Sequence, residues 1–285
     1  MPDMISFPHL GIRLEHVGRG FSLFGFEVAF YGIIVAAGMA AGIGLVLYLA
    51  RRSGQDEDFY FTLALCSVTV GILGARLYYV AFSWDYYRRY PLEIFNLRGG
   101  GLAIYGGILA GTLFVFLYCR KKKQPLFAVL DTCIVGVPLG QAIGRWGNFF
   151  NREAFGAYTD AFTAMQLPLR AVNETDVTAE MLSHAVTEGG ETFIRVHPTF
   201  LYESVWDLFV LLLLLLFTVK WKNRKRGMGF CLYLMLYAAG RFWIEGLRTD
   251  QLLIGGYPVS RLVSVVLFVC GLAGGYVLYK RGENI

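Results

Sequence analysis

The chain has 285 residues, of which 56% are hydrophobic, 16% aromatic and only 16% charged, with a formal net charge of +5. Such a balance excludes an ordinary water-soluble domain and describes a chain whose solvent is largely lipid. The positive excess sits in short lysine and arginine clusters of the kind that face anionic headgroups, so no nucleic-acid partner is inferred.

Residues 1–26 hold Pro2, Asp3, Pro8, His9, Arg13, Glu15 and His16 before any long apolar run. That pattern does not describe a cleavable signal peptide, and the segment is expected to be an amphipathic lead-in on the outer surface. Apolar blocks follow at 27–50, 59–82, 101–119, 127–146, 199–219, 229–247 and 259–279. Each is close to the roughly 20 residues that carry a helix across about 30 Å of hydrocarbon. The blocks are continuously apolar rather than alternating, which favours helices over a barrel. The expected fold class is all-α, a polytopic membrane protein of seven spans. It divides into the lead-in 1–26, spans one to four in 27–149, a head at 150–196, and spans five to seven with a short tail in 197–285. Glycines gather inside the blocks, as in Gly38-Met39-Ala40-Ala41-Gly42, Gly106-Gly107 and Gly111, where small residues let helices approach closely.

All seven lysines, Lys121, Lys122, Lys123, Lys220, Lys222, Lys225 and Lys280, follow the third, fifth and seventh blocks, and Arg51 and Arg52 follow the first. The positive-inside rule places those ends in the cytoplasm, so the N-terminus lies outside and the C-terminus inside. The segment 150–196 then lies outside as well. It carries Asp160, Asn173, Glu174, Asp176, Glu180, Glu188 and Glu191 and no lysine, and is expected to be too short and too polar for a sizeable core. Cys66, Cys119, Cys133, Cys231 and Cys270 sit in or at the ends of apolar blocks without CxxC spacing, which describes buried thiols rather than a disulfide framework or a metal site. No Walker or GxGxxG loop appears, and no cofactor is expected.

The polar residues that composition leaves unexplained collect at the outer ends of the blocks. One run is Gly144-Arg145-Trp146-Gly147-Asn148-Phe149-Phe150-Asn151-Arg152-Glu153, closed by Gly156. A second is Gly240-Arg241-Phe242-Trp243-Ile244-Glu245, continuing to Arg248 and Asp250, and a third is His197-Pro198 with Leu201-Tyr202-Glu203. Tyr31-Gly32, Arg76 and Tyr105-Gly106-Gly107 complete the set. A cation, carboxamides and carboxylates at bilayer depth are costly and ask for a chemical reason. Arginine is a natural phosphate ligand there, because its planar fork presents paired donors and stays charged. Other readings stand beside this one. Arg241 and Glu245, four residues apart, also describe an ion pair pinning a helix end. Asn148 and Asn151 also suit interhelical hydrogen bonds. Arg76 also suits snorkelling to the interface, His197 a helix start, and Tyr78, Tyr79, Tyr86, Tyr87 and Tyr90 an aromatic belt.

On these residues the chain resembles the prolipoprotein diacylglyceryl transferases of bacterial cell membranes. Gly144-Arg145-x-Gly147-Asn148-Phe149-x-Asn151-x-Glu153 is similar to the family signature, and the landmarks His197-Pro198 followed by Leu201-Tyr202-Glu203, Gly240-Arg241-Phe242 with Glu245, and Arg248 follow in the family's order. The resemblance implies seven spans in the bacterial inner membrane and a site facing outward. It also implies transfer of the diacylglyceryl group of phosphatidylglycerol to the lipobox cysteine of a prolipoprotein signal peptide, with release of glycerol phosphate and no metal or organic cofactor. It implies catalytic roles for Arg145, Arg241, Glu153 and Glu245, and lipid or substrate contacts for Asn148, Asn151, Tyr31, Gly156, Arg76, Arg248 and His197. Many members have a histidine where this chain has Tyr105, also placed among the catalytic residues. An unperturbed tyrosine titrates near 10, so Tyr105 serves as a base only if an arginine lowers it; a lipid-positioning role is the favoured expectation. A transporter of an anionic lipid or solute is the alternative class, disfavoured by the lack of an internal repeat and by charges gathered at outer helix ends.

Overall fold

An apolar run satisfies its own backbone polar groups most simply as a helix. The computed structural model, which describes residues 3–97, 99–221 and 224–282, makes each expected apolar block helical. Pro2 and Lys222, which entered the sequence argument, lie outside the described residues. In chain order the strands are β1 (Ile5–Phe7), β2 (Ile12–Leu14), β3 (Gly20–Leu23), β4 (Phe26–Ala29), β5 (Met165–Pro168), β6 (Val186–Glu188), β7 (Glu191–Val196), β8 (Leu253–Ile254) and β9 (Tyr257–Pro258). The helices are α1 (Phe30–Arg52), α2 (Glu57–Phe82), α3 (Trp84–Tyr87), α4 (Ile104–Lys121), α5 (Leu126–Cys133), α6 (Gly136–Asn151), α7 (Ala179–Ser183), α8 (Thr199–Lys220), α9 (Met228–Glu245) and α10 (Val259–Arg281).

Among the described residues, six helices are long and apolar enough to cross a membrane: α1, α2, α4, the α5–α6 run Leu126–Asn151, α8 and α10. The chain is a predominantly helical, multi-pass membrane protein. The seventh expected span coincides with α9, whose 18 residues include Arg241 and Glu245 and are not apolar enough to join the six by this measure. Between α5 and α6 the helix breaks at Ile134-Val135, where Pro138 has no N–H to give the Ile134 carbonyl.

The chain divides into two compact units, Met1–Gly42 with Cys133–Ile285, and Ile43–Thr132. Within the second unit α2 packs along α4, Arg51 and Glu57 form a bidentate pair at 2.7 and 2.8 Å, and Asp56 caps α2 through the Phe59 N–H. Within the first unit α8 packs on α6 and α9, and α9 on α10. The small residues of α1 serve close approach: a Cβ on Gly42 would lie 2.6 Å from the Gly136 carbonyl oxygen, a backbone atom with nowhere to move.

The lead-in and the head form one structure. β1 pairs with β2 (Ile5 opposite Leu14) and with β5 (Ser6 opposite Gln166); β5 pairs with β7 (Leu167 opposite Ile194) and β7 with β6, an antiparallel sheet of order β2-β1-β5-β7-β6. Gly189 and Gly190, at φ +58° and +80°, make the tight β6–β7 turn. Composition alone predicts a separate amphipathic segment at 1–26 and a stretch at 150–196 too short and too polar for a sizeable core. Instead Ile5, Phe7, Leu167, Met181, Ile194 and Val196 close a core completed by Phe149, Phe155 and Phe200. The head's own residues supply only part of that core; the rest arrives from both sequence-distant flanks, which no reading of 150–196 alone reveals.

Candidate active site

Three helices of the first unit each carry a polar stripe at four-residue intervals, the spacing that keeps side chains on one face. On α6 the stripe is Gln141 and Arg145, on α8 Glu203 and Asp207, and on α9 Tyr233, Tyr237, Arg241 and Glu245. The stripes meet around Glu203, which is 5% exposed. Arg145 Nε lies 2.9 Å from Glu203 Oε2, Arg241 Nη1 donates to Oε1 at 2.5 Å, and Arg248 Nη1 is 3.9 Å from the same oxygen. Arg241 Nη2 is also 2.6 Å from Glu245 Oε2, an ion-pair contact without hydrogen-bond alignment, so that oxygen remains a buried acceptor with no hydrogen bond. Arg248 grips Asp250 with both arms of its fork, at 2.9 and 2.6 Å. Burial alone would raise the Asp250 carboxyl; the Arg248 fork overrides it and holds the group below the usual carboxylate range.

Helix-to-helix fits fix this geometry. Ser204 Oγ donates to the Ala142 carbonyl at 2.9 Å, joining α8 to α6, and Trp206 Nε1 donates to the Leu236 carbonyl at 3.0 Å, joining α8 to α9. Trp146 and Phe149 meet Phe200 edge-on and tilted, with ring centroids 5.3 and 5.0 Å away. At the end of α6 the signature run turns back on itself. Arg152 adopts the left-handed conformation (φ +55°) as the C-cap, and Asn148 Nδ2 donates to Glu153 Oε1 at 3.0 Å across the turn. Asn151 is half-buried at the last position of α6, and the Tyr31 ring lies against Gly147.

Gly156 is the knot of the backbone around the site. Its N–H donates to the His197 carbonyl at 3.0 Å and it bridges Arg248 in antiparallel register, while the next N–H, of Ala157, reaches the Leu247 carbonyl at 2.7 Å. A Cβ there would lie 2.8 Å from both His197 Cβ and the Leu247 oxygen, so only glycine lets the three segments meet. His197 Nδ1 is 3.3 Å from the Tyr202 hydroxyl, and burial lowers the imidazole from its usual value.

Of the residues singled out from sequence, Arg145, Arg241, Glu245 and Arg248 come together, with Asn148, Glu153, Gly156 and His197 along the connected backbone. Arg76 and Tyr105 belong to the second unit. Arg76 donates Nε to the Ile94 carbonyl at 2.8 Å, Nη1 to those of Gly100 and Gly101 at 2.8 and 3.0 Å, and Nη2 to those of Asn96 at 3.0 Å and Glu93. All five donors are engaged, which gives Arg76 the task of closing the loop before α4 and leaves none for the lipid contact expected of it. Tyr105 lies in the first turn of α4 with its side chain exposed. Sequence reasoning named Glu203 only as a landmark and missed Asp207; two carboxylates one turn apart inside an apolar helix were the available signal. A cavity of about 600 Å³ in the head, lined by Leu169, Arg170, Val177, Leu182 and Glu191, contains none of these groups.

Compared with known proteins, residues 20–277 match the family model described as prolipoprotein diacylglyceryl transferase. The chain belongs to that family. A phosphatidylglycerol–prolipoprotein diacylglyceryl transferase of Clostridioides difficile is 40% identical over 265 residues, covering 93% of this chain and 96% of that protein. Proteins of the same name from Finegoldia magna and Synechococcus elongatus are 39% and 40% identical, covering 88% and 91% of this chain and 92% and 86% of their own lengths. For a diacylglyceryl transferase, an arginine cluster held by buried carboxylates is chemically apt. Arg145 pairs with Glu203 at its Nε, and among the described residues no hydrogen bond from its two terminal amino groups to protein is found, which leaves them as paired donors for an anion.

Proposed function

We propose that the chain transfers the diacylglyceryl group of phosphatidylglycerol to the lipobox cysteine thiol of a prolipoprotein, at the outer face of the bacterial inner membrane. The sulfur forms a bond to glyceryl C3 as the carbon–oxygen bond breaks. The oxygen keeps the electron pair, so the phosphate leaves as glycerol phosphate with a second negative charge, and the thiol proton is released. Two demands follow: a cationic seat for a phosphate whose charge grows, and a path for one proton.

The observation that carries the reading is the convergence of Arg145, Arg241 and Arg248 on Glu203 at the ends of three packed helices. Arg145 and Arg241 hold the phosphate and stabilise the developing charge, while Glu203 and Glu245 keep their guanidiniums oriented. Asn148, paired with Glu153 at the end of the signature helix, orients the headgroup together with Asn151, and Tyr31 contacts the lipid. Gly156 and His197 maintain the backbone junction that seats Arg248. Lysine placement favours an outside N-terminus and head and a cytoplasmic C-terminus.

The test uses purified protein, phosphatidylglycerol and a lipobox peptide, followed by peptide mass and glycerol phosphate release. A diacylglyceryl adduct is expected; a folded, inserted protein that yields none removes the reading. Arg145→Ala and Arg241→Ala are expected to insert normally and lose turnover, whereas Tyr105→Phe is expected to retain it.

A further inference from the structure

Asp207 is the group in the cluster that the reading above does not use. It lies one turn below Glu203 on α8, is 5% exposed, and has neither an ion pair nor a hydrogen bond to protein among the described residues. The groups facing it are Arg145 from α6, Glu203 from its own helix, and Tyr237 and Arg241 from α9, with Tyr233 one turn deeper, donating to Gln141 Oε1 at 3.1 Å. Between them is a cavity of about 10 Å³, lined by Arg145, Glu203, Trp206, Asp207, Tyr237, Gly240, Arg241 and Ile244, room for a single water. Arg145, Arg241 and Arg248 are set against Glu203, Glu245, Asp250 and Asp207, so these seven groups when fully ionised hold one carboxylate in excess, and Asp207 is the one that Arg145 and Arg241 face without forming an ion pair among the described residues.

An excess negative charge is the wrong starting point for binding an anion in a low-dielectric site, and a buried carboxylate without a partner is the cheapest group to neutralise by protonation. We infer that Asp207 is the proton-loading residue of the arginine cluster, taking up a proton through the one-water cavity when an anionic phosphodiester headgroup occupies the arginines. The inference rests on the proposed function in one respect, that the arginines bind a phosphodiester. Asp207 then acts as a positioning residue: it sets the charge of the site and touches no reacting atom. Binding and protonation are linked, so on the alkaline side affinity changes tenfold per pH unit for each proton taken up.

The test is calorimetric titration of the full chain in nanodiscs with glycerophosphoglycerol, the deacylated phosphodiester, in two buffers of different ionisation enthalpy near pH 7. The wild type is expected to take up close to one proton per ligand and to lose affinity by about tenfold per pH unit above the Asp207 titration. Asp207→Asn, which mimics the protonated carboxyl, is expected to bind with no uptake and a flat pH profile, and Asp207→Glu to restore uptake. Infrared difference spectra of the wild type are expected to show a protonated-carboxyl band on ligand addition that shifts in Asp207→Glu, a readout that holds if Asp207→Asn does not fold. Absence of binding at any pH overturns the phosphodiester site itself. Binding without proton uptake, unchanged uptake in Asp207→Asn, or an infrared band that is missing or unshifted in Asp207→Glu overturns the role of Asp207 while leaving the site standing.

Discussion

Glu203 carries the site at the residue scale, because Arg145 and Arg241 both pair with this one buried carboxylate and Arg248 approaches it. Removing its charge takes away the ion-pair partner of Arg145 and leaves Arg241 with Glu245 alone, and breaking a buried pair in this way typically costs about 3–5 kcal/mol. Glu203→Gln is therefore expected to lower thermal stability clearly and to abolish turnover, whereas Arg51→Ala, at an exposed and solvent-screened pair, is expected to leave the melting temperature nearly unchanged; melting of both variants in detergent checks the contrast. His197 gives a pH dependence with a definite sign. Its folded-state pKa lies below the usual 6.5 because burial disfavours the imidazolium. The unfolded chain therefore binds more protons in the window below 6.5, so stability is full above that value and falls as the pH drops towards the folded pKa. The melting temperature is expected to be lower near pH 5.5 than near pH 7.5, with a smaller difference in His197→Asn.

At the scale of elements, the helices were legible from apolar length, and their pairing was not. The four-residue spacing of Arg241 and Glu245 is visible in the chain, and the structure keeps that pair while adding Glu203 from a different helix. Arg76 shows the opposite case. Its sequence context suits snorkelling or lipid binding equally, and its five carbonyl partners come from residues 93–101, beyond what helix periodicity describes. The β-sheet was the larger omission, since strands of three to six residues carry too little pattern to declare themselves, and β1 finds β5 across about half the chain. Close helix approach gives an element-scale prediction. In Gly42→Leu the side chain meets the backbone of Gly136, which cannot rotate away, so α1 must shift; the expected loss is about 1–3 kcal/mol, measured as a lower melting temperature at unchanged helical content.

At the scale of the molecule, orientation follows from charge and is open to a direct check. Glu188, exposed at the β6–β7 turn, and Lys122, at the end of α4, belong to opposite sides by the lysine argument. A cysteine at Glu188→Cys is expected to react with a membrane-impermeant maleimide in intact cells, above the background of the native cysteines, and one at Lys122→Cys only after permeabilisation. Labelling of Lys122→Cys but not of Glu188→Cys before permeabilisation would reverse the placement of the site.

The sequence by itself determined the solvent, the helices and the family, because each is written in local composition, in uninterrupted apolar length or in a contiguous signature. Tertiary structure alone decided that Glu203 is the shared counterion, that Asp207 stands without an ion pair, and that the first residues of the chain complete the head. Those outcomes depend on which faces of distant segments are brought together, and on the cost of burying charge there, a cost that exists only once the helices have packed.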